Sequence, residues 1–505
     1  MLFAKRQPSL VTEVILSRWV GRERSIRKSQ EIAHKPPVSS NSIVIFIKVF
    51  ITSTIMAYQQ IIIGGSIGLT SILIAQFREP DSHIKADSDQ ASWIASLTML
   101  PCPIGSLICG YLTDRIGRKG ALQVAFVPTV ISMFLLCYAK SMPVVYCARM
   151  LSGISFGTGG PIFAYIAETS PTKWRPFFFM LFNFYVGLGM TMAAALGIFF
   201  HWTTISFIYG VLSIIGFLMP FAIPETPAYL RFRGLEEEAK VSEEWFGFKL
   251  PAKEPIVTPN ENSQHEIIPD SFWKQLKLPI VWKPAVIVLL FFICQQGSGF
   301  YPVMFYSVDV LHDCMVTVDP TKAGMLLAGS RTFASVFNLV LQAVPKKTLT
   351  VASGTGMFLM LVGILTYLHI FTGVVDPPYS DIVLYAFMIF VFFSMFAILP
   401  LPWSICSEIF PISVKGTMTG ILYSVGYELM FLGIKIYPTM VHSLGAKTVW
   451  TIYGSFCFST ILFGAFIMPE TTGKTLDEIQ ENFDRHPKKK QNKTVSEEPK
   501  NDFYL

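Results

Sequence analysis

Several charged residues of this chain interrupt stretches that are otherwise apolar. GYLTDRIGRKG (110–120) places Asp114, Arg115, Arg118 and Lys119 directly after a run suited to lipid, and single charges break other runs at Lys48, Arg331, Glu428 and Lys435. The chemistry open to them is ion pairing in a low-dielectric medium, where an unpaired charge is expensive and marks a candidate functional residue. Arg331 with Glu428 is one expected pair; the alternative is that these side chains snorkel or face a wet cavity without a functional role. Catalysis has no comparable support. His201, His312, His369 and His442 are scattered at loops or helix ends without carboxylate or metal spacing, and no Gly-rich phosphate loop follows a strand. The eight cysteines show no CxxC spacing, so packing is their expected role. Neither an enzyme nor a metal or cofactor is expected.

The elements that hold these charges follow from composition. Of 505 residues, 52% are hydrophobic and 15% charged, against about 25% charged in soluble domains. An all-α membrane protein is predicted. The formal charge of +6 gathers in tails and loops and forms no basic face, which excludes nucleic-acid binding. Twelve apolar runs reach the roughly 20 residues that cross a bilayer, near 43–70, 92–112, 121–139, 144–167, 177–200, 205–223, 284–308, 323–344, 349–372, 382–404, 417–439 and 449–468. Each must be helical, since lipid cannot satisfy an open strand.

A polar insert divides the runs six plus six, the layout of transporters built from two pseudo-symmetric halves. The expected organisation is an N-terminal tail (1–42), a six-helix bundle (43–223), an inter-bundle loop (224–283), a second six-helix bundle (284–468) and a C-terminal tail (469–505). Lys and Arg concentrate in the tails, the 113–120 loop, Arg175, Arg231, Arg233, Lys346, Lys347 and Lys415, which predicts that both tails and the loop are cytoplasmic. The N-terminal stretch lacks the apolar core of a signal peptide. The sequon at Asn492 falls on the cytoplasmic side of this scheme. Lipid is the expected surrounding, with no obligate protein partner evident.

Five stretches in order carry a family resemblance. GYLTDRIGRKG is similar to the G-x-x-x-D-R-x-G-R-[RK] signature of the major facilitator superfamily. ARMLSGISFGTGGPIFAYIAETSPTKWRP (148–176) resembles a segment of its sugar porter branch through Arg149, Gly153, Gly157, Glu168 and Arg175. PETPAYLRFRG (224–234), LPLPWSICSEIFPISVKG (399–416) and PETTGKTLDEI (469–479) match the segments after helix six, in helix ten and after helix twelve. The chain is therefore identified as sugar-porter-like, with the insect trehalose-transporter-like members nearest. The resemblance implies twelve helices, a central site and alternating access. It also implies gating roles for Gly110, Asp114, Arg115, Gly117, Arg118, Arg149, Glu168, Arg175, Glu225, Glu408, Lys415 and Glu470. Gly110 would let helices pack closely, Asp114 and Arg118 would join helix ends, and Glu168 with Arg175, Glu225 with the 113–120 loop, and Glu408 with Lys415 would act as latches. Charges placed only to set topology are the alternative.

For the substrate path, FFICQQGSGFYPVMFYS (291–307) resembles the family's helix-seven motif, putting Gln295 and Gln296 on its sugar-contacting glutamines and Trp403 on its helix-ten tryptophan. Neighbouring helical residues point about 100° apart, so one glutamine at most aims at the cavity. Asn183 stands for the helix-five Gln, Tyr301 for the helix-seven Asn, Ser330 for the helix-eight Asn, Met395 for the helix-ten Glu, Gly426 for the helix-eleven Asn and Tyr427 for the adjacent Trp. Fewer hydroxyl-binding groups make a different site from the usual hexose one. QAVPKK (342–347), twin of the opening motif, has Gln342 for the acid and Pro345 for Gly, so the second latch should be weaker. Proton-coupled relatives typically carry an Asp in helix one; residues 43–72 hold no acid, which favours a facilitative uniporter of hexose or a trehalose-like disaccharide in the plasma membrane. A same-scaffold carrier of another organic solute and a transporter-like nutrient sensor are the alternatives.

Overall fold

Backbone amides buried in hydrocarbon must find their partners within the same segment, so the apolar runs wind into helices that break only where another part of the protein takes over the freed groups. The computed structural model describes residues 42–157, 159–171, 174–247, 276–338, 341, 344–372, 374, 377–411, 414–472 and 483. Among them the regular structure is helical, without a strand.

The chain divides into two units, residues 1–48 and 49–505. Of the first only residues 42–48 are described, as the opening turns of α1 (Ser42–Ala57). The second unit continues with α2 (Gln59–Phe77), α3 (Ser88–Ser96), α4 (Cys102–Cys137), α5 (Met142–Phe156), α6 (Gly159–Thr169), α7 (Arg175–Gly197) and α8 (Trp202–Leu218). Two short helices, α9 (Pro227–Phe232) and α10 (Glu236–Phe246), lie in the polar insert. The second group is α11 (Pro279–Gly297), α12 (Phe300–Phe305), α13 (Ser307–Asp313), α14 (Pro320–Phe337), α15 (Lys346–Ile370), α16 (Asp381–Ser394), α17 (Leu401–Glu408), α18 (Lys415–Leu444) and α19 (Ala446–Leu462).

Nine stretches among the described residues are long and apolar enough to cross a membrane alone. Three more passes arise because α4 is two passes folded at Gly117, because α16 continues through a break into α17, and from α14. Gly117 is required twice at that fold: its φ is +89°, and a Cβ there would stand 2.3 Å from Glu225 Oε2.

Within the first group α2 packs on α7 and α8, and α4 on α5, α6 and α8; within the second α15 packs on α16 and α19, and α11 on α18 and α19. Two seams join the groups, α7 against α14 and α3 with α4 against α18, and α12 and α13 also touch α2. Small residues let helices approach within the first group. A Cβ on Gly105 would meet the Ile154 carbonyl oxygen at 1.9 Å, and one on Gly153 the Thr98 oxygen at 2.2 Å. Gly110, expected in that role, is exposed and faces open space, so the close packing belongs to its neighbours one and more turns away.

Candidate functional site

Helix breaks organise the middle of the molecule. Between α16 and α17 the chain turns through Met395–Pro400, freeing carbonyls that a continuous helix would have used. Gln295, fully buried on α11, donates its amide to the carbonyls of Ile398 at 3.0 Å and Leu399 at 2.8 Å. It is consumed by this repair. Gln296, half-buried, donates to Gln295 Oε1 at 3.3 Å and keeps its own oxygen open. One of the two glutamines is thus structural, as their angular separation requires.

Trp403 sits in an aromatic cluster within the second group. Its ring lies 4.9 Å from Phe292, 5.1 Å from Tyr423 and 4.9 Å from Tyr427, and its carbonyl accepts from the Tyr423 hydroxyl at 2.7 Å. Tyr427 and Trp403 both remain half-exposed, so the cluster offers an aromatic face. Gly426 packs beneath it, where a Cβ would come within 2.9 Å of the Phe292 ring.

The seam between α7 and α14 brings both groups together. Thr191 and Thr332 share a hydrogen bond of 2.9 Å, and Gly187 leaves room for Thr332. Next to it Arg331 Nη1 donates to the carbonyl of Asn183 at 3.5 Å, and Tyr301 on α12 lies within reach of its charge. Asn183, half-buried, makes no side-chain hydrogen bond among the described residues. Arg331 does not pair with Glu428, contrary to expectation. Glu428 forms no ion pair among the described residues and is exposed on α18, while Arg331 is turned into the other seam.

At the end marked by the 113–120 loop the first group ties itself into a knot. Arg118 Nη2 pairs with Glu168 Oε1 at 2.6 Å, and Glu168 Oε2 accepts from the Thr226 hydroxyl at 2.6 Å. Arg118 also lies over the Tyr229 ring at 5.2 Å, whose hydroxyl donates to the Arg115 carbonyl at 2.9 Å. Arg115 itself stacks over Tyr111 at 5.4 Å. Glu225 accepts from the backbone N–H of Lys119 at 3.1 Å and of Thr226 at 2.9 Å. Burial raises the Glu225 carboxyl above the ordinary range, only partly opposed by those amides and by Lys119 and Arg118.

The expected partnership of Glu168 with Arg175 is therefore corrected. The reversal of α4 at Gly117 brings Arg118 against Glu168, while Arg175 donates to the Ser170 carbonyl at 3.2 Å. Asp114 is exposed and makes no ion pair among the described residues. Arg149 is placed inside the first group rather than at this end. Its guanidinium donates to the Ser66 carbonyl at 3.0 Å and hydroxyl at 3.1 Å, to the Ile94 carbonyl at 3.0 Å and to Thr70, binding α5 to α2 and α3 through neutral acceptors. In the second group Glu470 accepts from the N–H groups of Lys346 at 3.2 Å and Lys347 at 3.1 Å, capping α15. Burial pushes its carboxyl up, but hydrogen bonds from Thr472, Lys347 and Lys346 outweigh it and hold the group below the ordinary value. Gln342 and the side chains of Glu408 and Lys415 lie outside the described residues.

The opposite end holds contacts that sequence reasoning missed. Asp87 and Gln90 form a reciprocal cap that starts α3 and presents Asp89, Ser92 and Trp93. Lys435 of α18 donates to Asp89 at 2.7 Å and Ser92 at 2.6 Å, and stands 4.1 Å over the Trp93 ring. Arg78, just past α2, pairs with Asp309 of α13. Burial raises the Asp309 carboxyl, against the charge and hydrogen bond of Arg78. Lys435 stood out as a charge in an apolar run, but its partner is about 350 positions away, and nothing local names it.

Comparison with known proteins places this geometry. The profile of the family described as sugar (and other) transporter matches residues 44–483. The facilitated trehalose transporter Tret1 of Drosophila yakuba is 25% identical over 451 residues, covering 88% of this chain and 52% of that protein. Its Culex quinquefasciatus counterpart is 24% identical over 428 residues, covering 83% and 82%. The chain spans about half the length of the fruit-fly relatives it matches. Among solved structures, the xylose transporter XylE from E. coli in a partially occluded inward open conformation superimposes with a TM-score of 0.68 at 18% identity, covering 85% of this chain and all of that one. The inward open form of XylE gives a TM-score of 0.65 at 17% identity.

Proposed function

The chain belongs to the sugar (and other) transporter family, and from that premise we propose that it carries a sugar across a membrane by alternating access. The observation that carries this reading is the polar group at the junction of the two helix groups. Asn183 comes from the first and Tyr301 and Arg331 from the second, and the second also holds Gln296 and the Trp403–Tyr427 face. A solute bound there touches both halves, so moving one against the other would change which side it sees.

The 113–120 loop and both tails are cytoplasmic in this proposal, because Lys and Arg concentrate there. The membrane is the plasma membrane. Facilitative uniport is supported by the absence of Asp and Glu from residues 43–72 and by the neutral partners of Arg149, which leave no carboxyl to take up a proton beside it. Trehalose is the solute the named relatives suggest, and a hexose is the one the sequence motifs imply.

The test is uptake of labelled trehalose and glucose into proteoliposomes containing the whole chain, beside Gln296→Ala and Gln295→Ala. Gln296→Ala should weaken apparent affinity while leaving the protein folded; Gln295→Ala should lower thermal stability. Absence of uptake of either sugar by well-folded protein would defeat the sugar reading for them. Accumulation against a gradient that a protonophore abolishes would defeat uniport. A second reading, carriage of another organic solute on this scaffold, is favoured by Tyr301, Met395 and Gly426, which supply fewer hydroxyl-binding groups than the family pattern.

A further inference from the structure

Two arginines are buried among the described residues, and they are treated differently. Arg149 is 1% exposed and donates four hydrogen bonds to Ser66, Thr70 and Ile94. Arg331 is 5% exposed and donates one, at the long limit of 3.5 Å, to the Asn183 carbonyl. Its other N–H groups have no acceptor among the described residues, and no carboxylate lies within ion-pairing distance of it there. A guanidinium has five donors in a rigid fork and stays charged at any physiological pH, so one long bond leaves most of its capacity unused.

The surroundings are fitted to it. Gly187 faces it across the seam, where a Cβ would crowd Nη1 at 3.1 Å and Thr332 Oγ1 at 2.7 Å. Asn183, Tyr301, Thr191 and Thr332 around it are all neutral, so the junction carries a net positive charge. Unlike Arg149, whose bonds tie helices of one half together, Arg331 reaches from the second half to the first. It does so at the level where the solute would be held.

We propose that Arg331 is an anion-binding residue of the solute path, and that the carried solute is an anionic sugar derivative whose carboxylate or phosphate pairs with the guanidinium. The hydroxyls of such a solute fall to Asn183, Gln296 and Tyr301. A planar fork suits either oxyanion, and the solute supplies the counter-charge that the protein lacks. The inference rests on the sugar-transporter reading and narrows its substrate class.

The test uses the full chain in proteoliposomes with four labelled probes, glucose, trehalose, glucuronate and glucose 6-phosphate, and thermal-shift titration of the detergent-solubilised protein with the same four. Uptake of glucuronate or of glucose 6-phosphate should exceed that of glucose at least tenfold, and whichever of the two is preferred distinguishes carboxylate from phosphate. The ratio of anionic to neutral uptake should fall at least tenfold in Arg331→Gln and less in Arg331→Lys, which keeps the charge and loses the fork. Neutral sugars carried as well as or better than both anions by the unaltered protein would overturn the inference and leave the sugar-transporter reading standing. Failure to carry any of the four, with a cooperative melt showing folded protein, would overturn both.

Discussion

The two ends of the molecule hold their charges together in opposite ways. At the end opposite the 113–120 loop, the outer end in the proposed orientation, ion pairs cross between the halves: Arg78 of the first meets Asp309 of the second, and Lys435 of the second meets Asp89, Ser92 and Trp93 of the first. At the end proposed to be cytoplasmic every ion pair among the described residues stays inside one half. Arg118, Glu168, Thr226 and Glu225 knot the first, and Glu470 with Lys346 and Lys347 holds the second. Halves joined at one end and separately braced at the other fit the proposed alternating-access carrier, latched at the end opposite the 113–120 loop and free to part at the loop end. In that proposal the pairs between the halves break during the cycle, while the knots within each half move as rigid units.

Breaking the outer pairs should therefore have the largest effect. Each exposed or partly exposed pair is worth roughly 0.2–1 kcal/mol and the cation–π contact about as much again, so their joint loss shifts a two-state equilibrium by about tenfold. Asp309→Asn with Lys435→Gln should raise the outward-open population by that factor, read as the spin-label distance distribution across the outer end. Exchanging the charges of one pair, Lys435→Asp with Asp89→Lys and Asp309 unaltered, should stay near the starting distribution. Unchanged distances in the double variant would show that the outer pairs are ornaments of the surface.

Next in size is Asp114. It is exposed and makes no ion pair among the described residues in this state, which is what a residue reserved for the other state would look like. Asp114→Asn should lower transport several-fold with little loss of stability, because it removes a contact made only when the inner end closes. Gln342→Ala, at the twin position that lacks the acid, should lower it far less. Equal losses at the two positions would erase the asymmetry between the halves.

Breaking an inner knot should cost stability and leave the state distribution alone. The Arg118–Glu168 side chains are only 16% and 21% exposed, so Glu168→Gln should destabilise by about 1–2 kcal/mol, read as a lowered melting temperature. A shift in the outer-end distances in this variant would contradict the idea that the knot moves as one body.

The passes and their order were legible in the sequence because lipid leaves a long apolar run no state but the helix. The partners were not, since pairing depends on where the chain turns. Glu168 takes Arg118 instead of the nearer Arg175 because Gly117 turns α4 back on itself, a backbone fact that a motif does not state. Gln295 and Gln296 are identical in type, and only the break in the tenth pass decides that the first repairs carbonyls while the second bonds to it and keeps its oxygen open. Gly110 carries the motif while Gly105 and Gly153 make the contacts. Arg331 and Glu428 are opposite charges in apolar runs, yet their helices present them to different seams. Charge composition names the candidates for pairing, and the path of the chain chooses among them.

The smallest effect expected sharpens the contrast between the two inner knots. Glu225 and Glu470 both accept backbone amides, but burial wins at Glu225 and raises its carboxyl, whereas hydrogen bonding wins at Glu470 and lowers it. A raised carboxyl stabilises the fold fully below its unfolded value, near 4.3, and that contribution is lost as pH rises through the folded value. A lowered one contributes above the unfolded value and loses its contribution as pH falls through the folded value. In the window between the ordinary carboxyl value and the raised value of Glu225, then, acidification should favour the first-half knot through Glu225 while leaving the second-half cap charged. Glu225→Gln should flatten the melting-temperature profile over that window, and Glu470→Gln should leave its shape there and lower its level. Each change is within about 1 kcal/mol, which repeated melting scans at closely spaced pH can resolve. Identical profiles for the two variants would mean that the knots are electrostatically alike, and the braced inner end would lose its inequality between halves.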